Sequence, residues 1–209
     1  MTKTGINSIL LASGGMDSTT LAYWLRDQKI KFLPVFINYG QHCADTELKT
    51  LLEVLPKRDA ARTEVINVSD IYQGCKSRLI DEPNLWRDEI TAEDLYLPYR
   101  NLLLLSIGAA YAQARDYSSL YAAFINSNHA KELDCSAEFF ERLSGVLLEY
   151  GSVEIKMPFR ELSKYEVAKI GIALKAPIAH TFSCQAASRV PCGACPNCDD
   201  RLEAFRLLH

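Results

Sequence analysis

Ser8-Ile9-Leu10-Leu11-Ala12-Ser13-Gly14-Gly15-Met16-Asp17-Ser18-Thr19-Thr20 is the stretch on which the fold turns. It opens with a short apolar run that ends at a serine and paired glycines, the form of a buried parallel strand. Asp17 to Gln28 then reads as a helix, with Leu21, Trp24 and Leu25 at helical spacing. Paired glycines let the backbone turn tightly and aim its N–H groups at an anion, and the N-terminus of the next helix adds partial positive charge. The hydroxyls of Ser13, Ser18 and Thr19 supply further donors. No lysine follows for outer phosphates, and the glycine spacing of a dinucleotide fingerprint is absent, so neither of those common loops applies. A carboxylate such as Asp17 makes sense beside phosphates if it holds Mg²⁺, which prefers oxygen ligands. Ser13, Gly14, Gly15, Met16, Asp17, Ser18 and Thr19 are therefore the expected nucleotide-binding residues. The plain alternative is a glycine turn with Asp17 in an ordinary first helical turn.

Outward from this stretch, strands and helices alternate. Phe32 to Ile37 is a second strand, in which Pro34 predicts an early kink or an edge position. Asp45 to Leu55 is a helix with Leu48, Leu51, Leu52 and Leu55 on one face, stopped by Pro56. Thr63 to Val68 alternates as a third strand. From Tyr72 to Pro98 no period holds, and a stretch of that length is expected to serve as a lid or substrate loop. Asn101 to Ala114 is a helix apolar on most faces. Leu120 to Phe124 is a strand, Ala137 to Tyr150 a helix and Val153 to Lys156 a strand. Ser163 to Leu174 is a helix whose Ser163 and Glu166 have capping-box spacing, and Asp199 to Leu208 is the last helix. This alternation predicts an α/β fold: an open, mostly parallel, Rossmann-like sheet with helices on both faces.

At 209 residues the chain has room for one sizeable core and too little for two full domains, so residues 1–209 are expected to form a single domain. Against 26 acidic side chains stand 23 basic ones, a net charge of −3, which argues against nucleic acid as the main partner. The N-terminus carries no charged-then-apolar leader, and the apolar stretch around Leu102 to Leu105 is too short for a bilayer. A cytoplasmic location with reduced thiols is expected, so the seven cysteines point to metal or chemistry before disulfides. Cys43, Cys75 and Cys135 are scattered and read as small buried apolar residues.

The other four are not scattered. Cys192, Cys195 and Cys198 recur at intervals of three, with Cys184 upstream in a turn-rich stretch. Four thiolates so spaced can converge on a tetrahedral centre with no open position, the build of a structural Zn²⁺ site over residues 184–198. An iron–sulfur cluster takes the same ligands, and a catalytic thiol pair is the weaker rival.

The loop Ser13-Gly14-Gly15-Met16-Asp17-Ser18 resembles that of the ATP-pyrophosphatases, which split ATP into AMP and pyrophosphate. Further segments match in order: Tyr39-Gly40-Gln41, Pro98-Tyr99-Arg100-Asn101, Asp134-Cys135, Glu138-Phe139, Pro158 with Lys164 and Glu166, and the cysteines before Arg201. Together they are similar to the QueC family of 7-cyano-7-deazaguanine synthases over nearly the whole chain. The resemblance implies an adenine nucleotide alpha hydrolase-like fold, and ATP, Mg²⁺ and Zn²⁺ as cofactors. It also implies a homodimer, and conversion of 7-carboxy-7-deazaguanine and ammonia to the nitrile through adenylated carboxylate and amide intermediates. It implies catalytic roles for Asp17, Ser18, Arg100 and Lys164, and binding roles for Gln41 and Asn101. Taken on their own, Arg100 also reads as a surface ion pair and Asn101 as a helix cap.

Departures from the family pattern motivate other readings. Asn126-Ser127-Asn128-His129-Ala130-Lys131-Glu132-Leu133 stands where an acidic residue and an aromatic-glycine stretch are usual, with Asn128 or His129 near the expected acid. His42-Cys43 likewise replaces a basic residue and histidine after Gln41. The first alternative is therefore a divergent ligase that joins a deazapurine carboxylate to an amine of a partner protein. The second is a tRNA base-modifying adenylating enzyme, which the −3 charge disfavours. A non-catalytic zinc-stapled module is the last.

Overall fold

The computed structural model describes residues 5–88, 90–91, 93–126 and 135–208. Its centre is a five-stranded sheet of β1 (Ser8–Leu11), β2 (Phe32–Asn38), β3 (Glu64–Asn67), β4 (Ser119–Tyr121) and β5 (Glu154–Lys156). The order is β3-β2-β1-β4-β5, and each neighbouring pair is parallel. The helices are α1 (Met16–Asp27), α2 (Ala44–Val54), α3 (Lys57–Ala60), α4 (Arg100–Gln113), α5 (Ala137–Glu149), α6 (Lys164–Ala173) and α7 (Pro196–Arg206).

Strand alternation sorts the core into two layers. Leu33, Val35 and Ile37 face one side of the sheet with Leu105 and Ala112 of α4 and Phe140 and Leu143 of α5. Phe32 and Phe36 face the other with Leu21 and Leu25 of α1, Leu51 of α2 and Val167 of α6. Both faces of the sheet are therefore covered by helices, which is why its strands read as apolar runs.

Pro34 lies in β2, a strand between β1 and β3 and not an edge strand of the sheet. The Val35 carbonyl accepts from Ala12 N–H at 2.9 Å, so Val35 points its polar groups toward β1 and Pro34 points away. On that side β3 begins pairing only at Val35, opposite Glu64, so the missing N–H of Pro34 costs no ladder bond.

Element ends shift by a few residues for local reasons. α7 begins at Pro196, three residues before the expected Asp199, because proline is preorganised for a first helical position and Cys195 caps it. β4 stops at Tyr121; Ala122 N–H still donates to the Lys156 carbonyl of β5 at 3.0 Å, and Ala122 to Phe124 line a cavity. α3, a single turn, escapes sequence periodicity altogether. The Ser163 capping box is present in full: Glu166 N–H donates to Ser163 Oγ at 3.3 Å, and Ser163 N–H donates to Glu166 Oε2 at 2.7 Å.

The stretch expected to be a lid is tied down along part of its length. Leu79, Leu95 and Leu97 are buried around Tyr39, and the Leu79 carbonyl accepts from His42 N–H at 2.9 Å. Of the scattered cysteines, Cys43 is buried as expected, whereas Cys75 and Cys135 are half-buried, Cys75 against the small core around Tyr39. No helix among the described residues is long and apolar enough to cross a membrane.

One buried carboxylate joins the first helix to the turn after α2. Asp59 is 1% exposed, accepts from Arg26 Nη1 at 2.6 Å and pairs with Arg62. Asp59→Ala would remove the carboxylate shared by the half-exposed Arg26 and the partly exposed Arg62, and a loss of about 1 kcal/mol in urea unfolding is expected. An unchanged midpoint would show that solvent already carries these arginines.

Candidate active site

The strand order reverses between β1 and β4, which leave their shared edge toward opposite sides of the sheet. A crevice at the carboxyl ends of such strands is where open α/β sheets bind ligands. A cavity of about 250 Å³ occupies this position. Its wall includes Ser13, Gly15, Asp17 and Ser18 after β1, Tyr39, Gln41 and Glu47 after β2, and Ala122 to Phe124 after β4. Arg100 and Asn101, which begin α4, complete it with Gln185 from the cysteine segment.

The glycine loop is built for close approach. Gly14 has φ +77°, and a Cβ there would lie 2.6 Å from the Glu47 carbonyl oxygen and 2.8 Å from Leu51 N. Backbone meets backbone at this point, so any side chain would push α2 off the loop. Ser18 Oγ accepts from Ser13 N–H at 3.2 Å and lies 3.3 Å from Ser13 Oγ, and Ser13 Oγ accepts from Gly15 N–H at 3.3 Å. Gly15 caps α1 with no side chain over the helix end, so the first N–H groups of the helix have no intrahelical partner. The side chains of Met16 and Thr19, both expected at the nucleotide site, do not line the cavity. Met16 is buried among Ala168, Ala176 and Ile178, and Thr19 is fully buried in α1. Met16, first in α1, has only its backbone to offer the loop, and the Thr19 N–H is already spent on the Gly15 carbonyl at 3.0 Å.

Asp17 projects into the cavity and its Oδ2 accepts from Lys164 Nζ at 2.6 Å. Lys164 is the first residue of α6, so the capping box at Ser163 sets where its ammonium arrives. It stands behind Asp17 and is not part of the cavity wall. Asp17 Oδ1 is buried with no hydrogen-bond partner, a free oxygen ligand that fits a divalent cation.

Gln41 lines the cavity but its amide is already committed. Its Oε1 accepts from Tyr39 N–H at 2.9 Å, and its Nε2 donates to Glu47 Oε2 at 2.9 Å. Arg100 hydrogen-bonds the Tyr39 phenol, whose ionisation burial makes much harder. Tyr99 takes the left-handed conformation at φ +58°, an uncommon state for a bulky residue, and the chain turns there into α4. Asn101 is 3% exposed and donates from Nδ2 to Cys135 Sγ at 3.1 Å, so it is not a helix cap.

Among the cavity-wall residues that sequence reading missed, which include Tyr39 and Gln185, Glu47 is the carboxylate. Burial raises its carboxyl from the ordinary 4.5 to about 7, against the lowering effect of hydrogen bonds from Gln41 and Cys43 and of the Arg100 charge. A signal was available: Glu47 precedes Leu51 by four residues and Val54 by seven, placing an acid in the buried stripe of an amphipathic helix.

The four clustered cysteines converge as expected. Their sulfurs all lie within 4.8 Å of one another, with Cys184–Cys195 and Cys192–Cys198 at 4.0 Å. Cys195 N–H donates to Cys192 Sγ at 3.2 Å and Cys192 N–H to Cys184 Sγ at 3.4 Å, the backbone support that metal thiolates use. Hydrogen bonds from Cys184 and then Cys198 hold the Cys195 thiol well below its usual range. The set fits a four-thiolate metal. The knot is also fastened to the cavity: Phe182 N–H donates to the Gly14 carbonyl at 3.1 Å, and His42 Nε2 lies 3.1 Å from the Gln185 carbonyl. The segment Ser127 to Leu133, with Asn128 and His129, and Asp134 after it, lie outside the described residues.

A parallel sheet with an open glycine loop at its strand reversal defines the doubly wound, Rossmann-like class of α/β proteins. Two solved structures share the fold. A 4-thiouridine synthetase–RNA complex with bound ATP aligns with TM-score 0.56 at 15% identity, over 98% of this chain and 54% of that one. The U34-tRNA thiolase NcsA from Methanococcus maripaludis, with its [4Fe-4S] cluster, aligns with TM-score 0.53 at 15% identity, over 97% and 65%. The family model for "Queuosine biosynthesis protein QueC" matches residues 7–209, and the chain belongs to that family. The 7-cyano-7-deazaguanine synthase of Methanospirillum hungatei JF-1 is 31% identical over 97% of this chain and 96% of its own. That of Haloarcula marismortui is 32% identical over 96% and 90%.

Two outcomes follow from this geometry. Removing the metal with a chelator, or making Cys195→Ser, is expected to release bound metal and lower the melting temperature, because binding and folding are coupled there. Metal retained at full stoichiometry with an unchanged melting temperature would sink the four-thiolate site. The second concerns pH. The folded chain holds its Glu47 proton more tightly than the unfolded chain, so Glu47 makes stability fall as pH rises from 4.5 to about 7. Glu47→Gln should remove that slope and gain on the native protein across this window; parallel melting curves would contradict the burial of the carboxyl.

Proposed function

We propose that this protein is an enzyme that converts 7-carboxy-7-deazaguanine and ammonia to 7-cyano-7-deazaguanine, consuming ATP and releasing AMP and pyrophosphate. One observation carries the reading: an uncapped glycine loop with an unpartnered Asp17 oxygen beside it, at the strand reversal of a chain that matches the QueC family almost end to end.

In this reading the loop backbone and the first N–H groups of α1 bind the phosphates that leave as pyrophosphate. Ser13 and Ser18 keep the loop in shape through their hydroxyls. Asp17 Oδ1 is the oxygen that would hold Mg²⁺, and the ion supplies positive charge against the leaving pyrophosphate. Lys164 acts as a positioning residue that fixes the other oxygen of Asp17. Arg100 offers a planar fork that matches a phosphate or the substrate carboxylate. A carboxylate oxygen attacks the α-phosphorus and pyrophosphate leaves. Ammonia then attacks the acyl carbon and AMP leaves with the C–O electron pair, giving the amide. A second ATP is attacked by the amide oxygen and releases pyrophosphate; AMP then leaves with the C–O electron pair as the nitrogen sheds both of its protons, giving the nitrile. Zn²⁺ is the metal assigned to the four thiolates, with a structural role, because four sulfurs leave no open position.

The test is incubation of the purified protein with MgATP, ammonia and 7-carboxy-7-deazaguanine, with products read by mass spectrometry. Free nitrile with AMP and pyrophosphate is expected. An amide that persists on a partner protein would favour the divergent ligase, and no substrate-dependent AMP would overturn the assignment. Asp17→Asn should cut AMP formation by about 100-fold, with excess Mg²⁺ recovering part of it, in line with the loss of one preorganised charge contact.

A further inference from the structure

Glu47 takes no part in the scheme above, although its carboxyl stands in the wall of the cavity. Its setting is specific. Tyr39 N–H must be accepted by the oxygen of the Gln41 amide, so the Gln41 nitrogen is forced to face Glu47 and holds Oε2 at 2.9 Å. The Cys43 thiol is a second donor to the carboxylate from the start of the same helix. Arg100 of α4 is the cation facing Glu47, and Tyr39 at the end of β2 is a buried phenol beside it. Further along the wall, Asp17 of α1 is engaged by Lys164 of α6. The carboxyl is thus aimed by a rigid strut.

Amide formation creates a need for such a group. When the amine nitrogen bonds to the acyl carbon, the C–O bond to AMP breaks and its electron pair goes to the phosphate oxygen. The nitrogen is then cationic and must shed a proton, and ammonia itself reaches a neutral-pH site mostly as ammonium. Arg100 cannot accept a proton, and Asp17 is bound to an ammonium. Glu47 is the other carboxylate on the described cavity wall. We propose that Glu47 is the base that takes the proton from the attacking amine, so that the N–H electron pair remains on the amide nitrogen. This rests on the function proposed above. The carboxyl's affinity for protons, raised by burial to about 7, matches the task, since a base works best near the operating pH.

Glu47→Gln separates this role from others, because its side-chain oxygen can still accept from Gln41 and the variant is expected to fold. Two half-reactions are measured on native and variant protein. These are substrate-dependent exchange of pyrophosphate into ATP, which reads adenylation, and amide formation from ammonia. Amide formation is expected to fall by about 100-fold or more, the usual contribution of a general base, while exchange falls by about threefold at most. The native rate of amide formation should rise with pH through the range where Glu47 ionises, and the variant should lack that limb. Hydroxylamine, which arrives uncharged at neutral pH, should narrow the gap between the two proteins. Equal losses in both half-reactions would make Glu47 a nucleotide or metal contact and overturn the proposal, as would amide formation at the native rate. If the native protein itself shows no substrate-dependent exchange, the parent function fails and this role falls with it.

Discussion

Gly14 is the point at which three parts of the molecule lean on one another. Its missing side chain lets the backbone of α2 approach the loop at Glu47 and Leu51, and its carbonyl accepts the Phe182 N–H that anchors the cysteine segment. Nothing larger fits, and no other residue type adopts its positive φ without strain. The loop, the helix that carries Glu47 and the segment that leads into the metal knot therefore share one rigid junction. The phosphate binding proposed for this loop asks for donors fixed before the ligand arrives, and such a junction would supply the fixing.

The same arrangement gives the C-terminal cysteines a purpose beyond local folding. The ordered stretch from Phe182 to Ser188 touches the loop, His42 and, through Ser188, both Thr46 and Glu82. A metal held by the four clustered thiols would shorten the chain available to wander and so would link metal binding to the shape of the cavity rim. Gln185, adjacent to the ligand Cys184, is itself part of that rim.

Around the cavity, charge is arranged in separated pairs. Asp17 is answered by Lys164, and Arg100 lies between the Tyr39 phenol and the Glu47 carboxyl. Placing two carboxylates in one pocket would be repulsive if both were bare anions, the more so with the phosphates of the proposed substrate beside them. The lysine behind one and the burial of the other relieve this, and they make the two acids chemically different. In the function proposed above, two similar side chains thereby take different tasks, Asp17 as a cation ligand and Glu47 as a proton acceptor.

The sequence by itself determined the elements whose signals are local. The strand before Ser13, the glycine loop, the amphipathic helices, the Ser163 capping box and the three-residue spacing of the cysteines each depend on neighbours a few positions away. All five strands and the two-faced sheet were legible for that reason. Tertiary structure alone decided the rest. Pro34 sits harmlessly inside the sheet because β3 starts one residue later, a matter of register between distant strands. The aperiodic stretch after Tyr72 gains its small core because Leu79, Leu95 and Leu97 meet Tyr39 across the fold. Met16 and Thr19 turn inward, Gln41 is spent on bracing, and Glu47 enters the cavity, because side-chain direction and burial depend on which helices cover the sheet. Spacing along a chain can say which residues share a face; only packing says what that face meets.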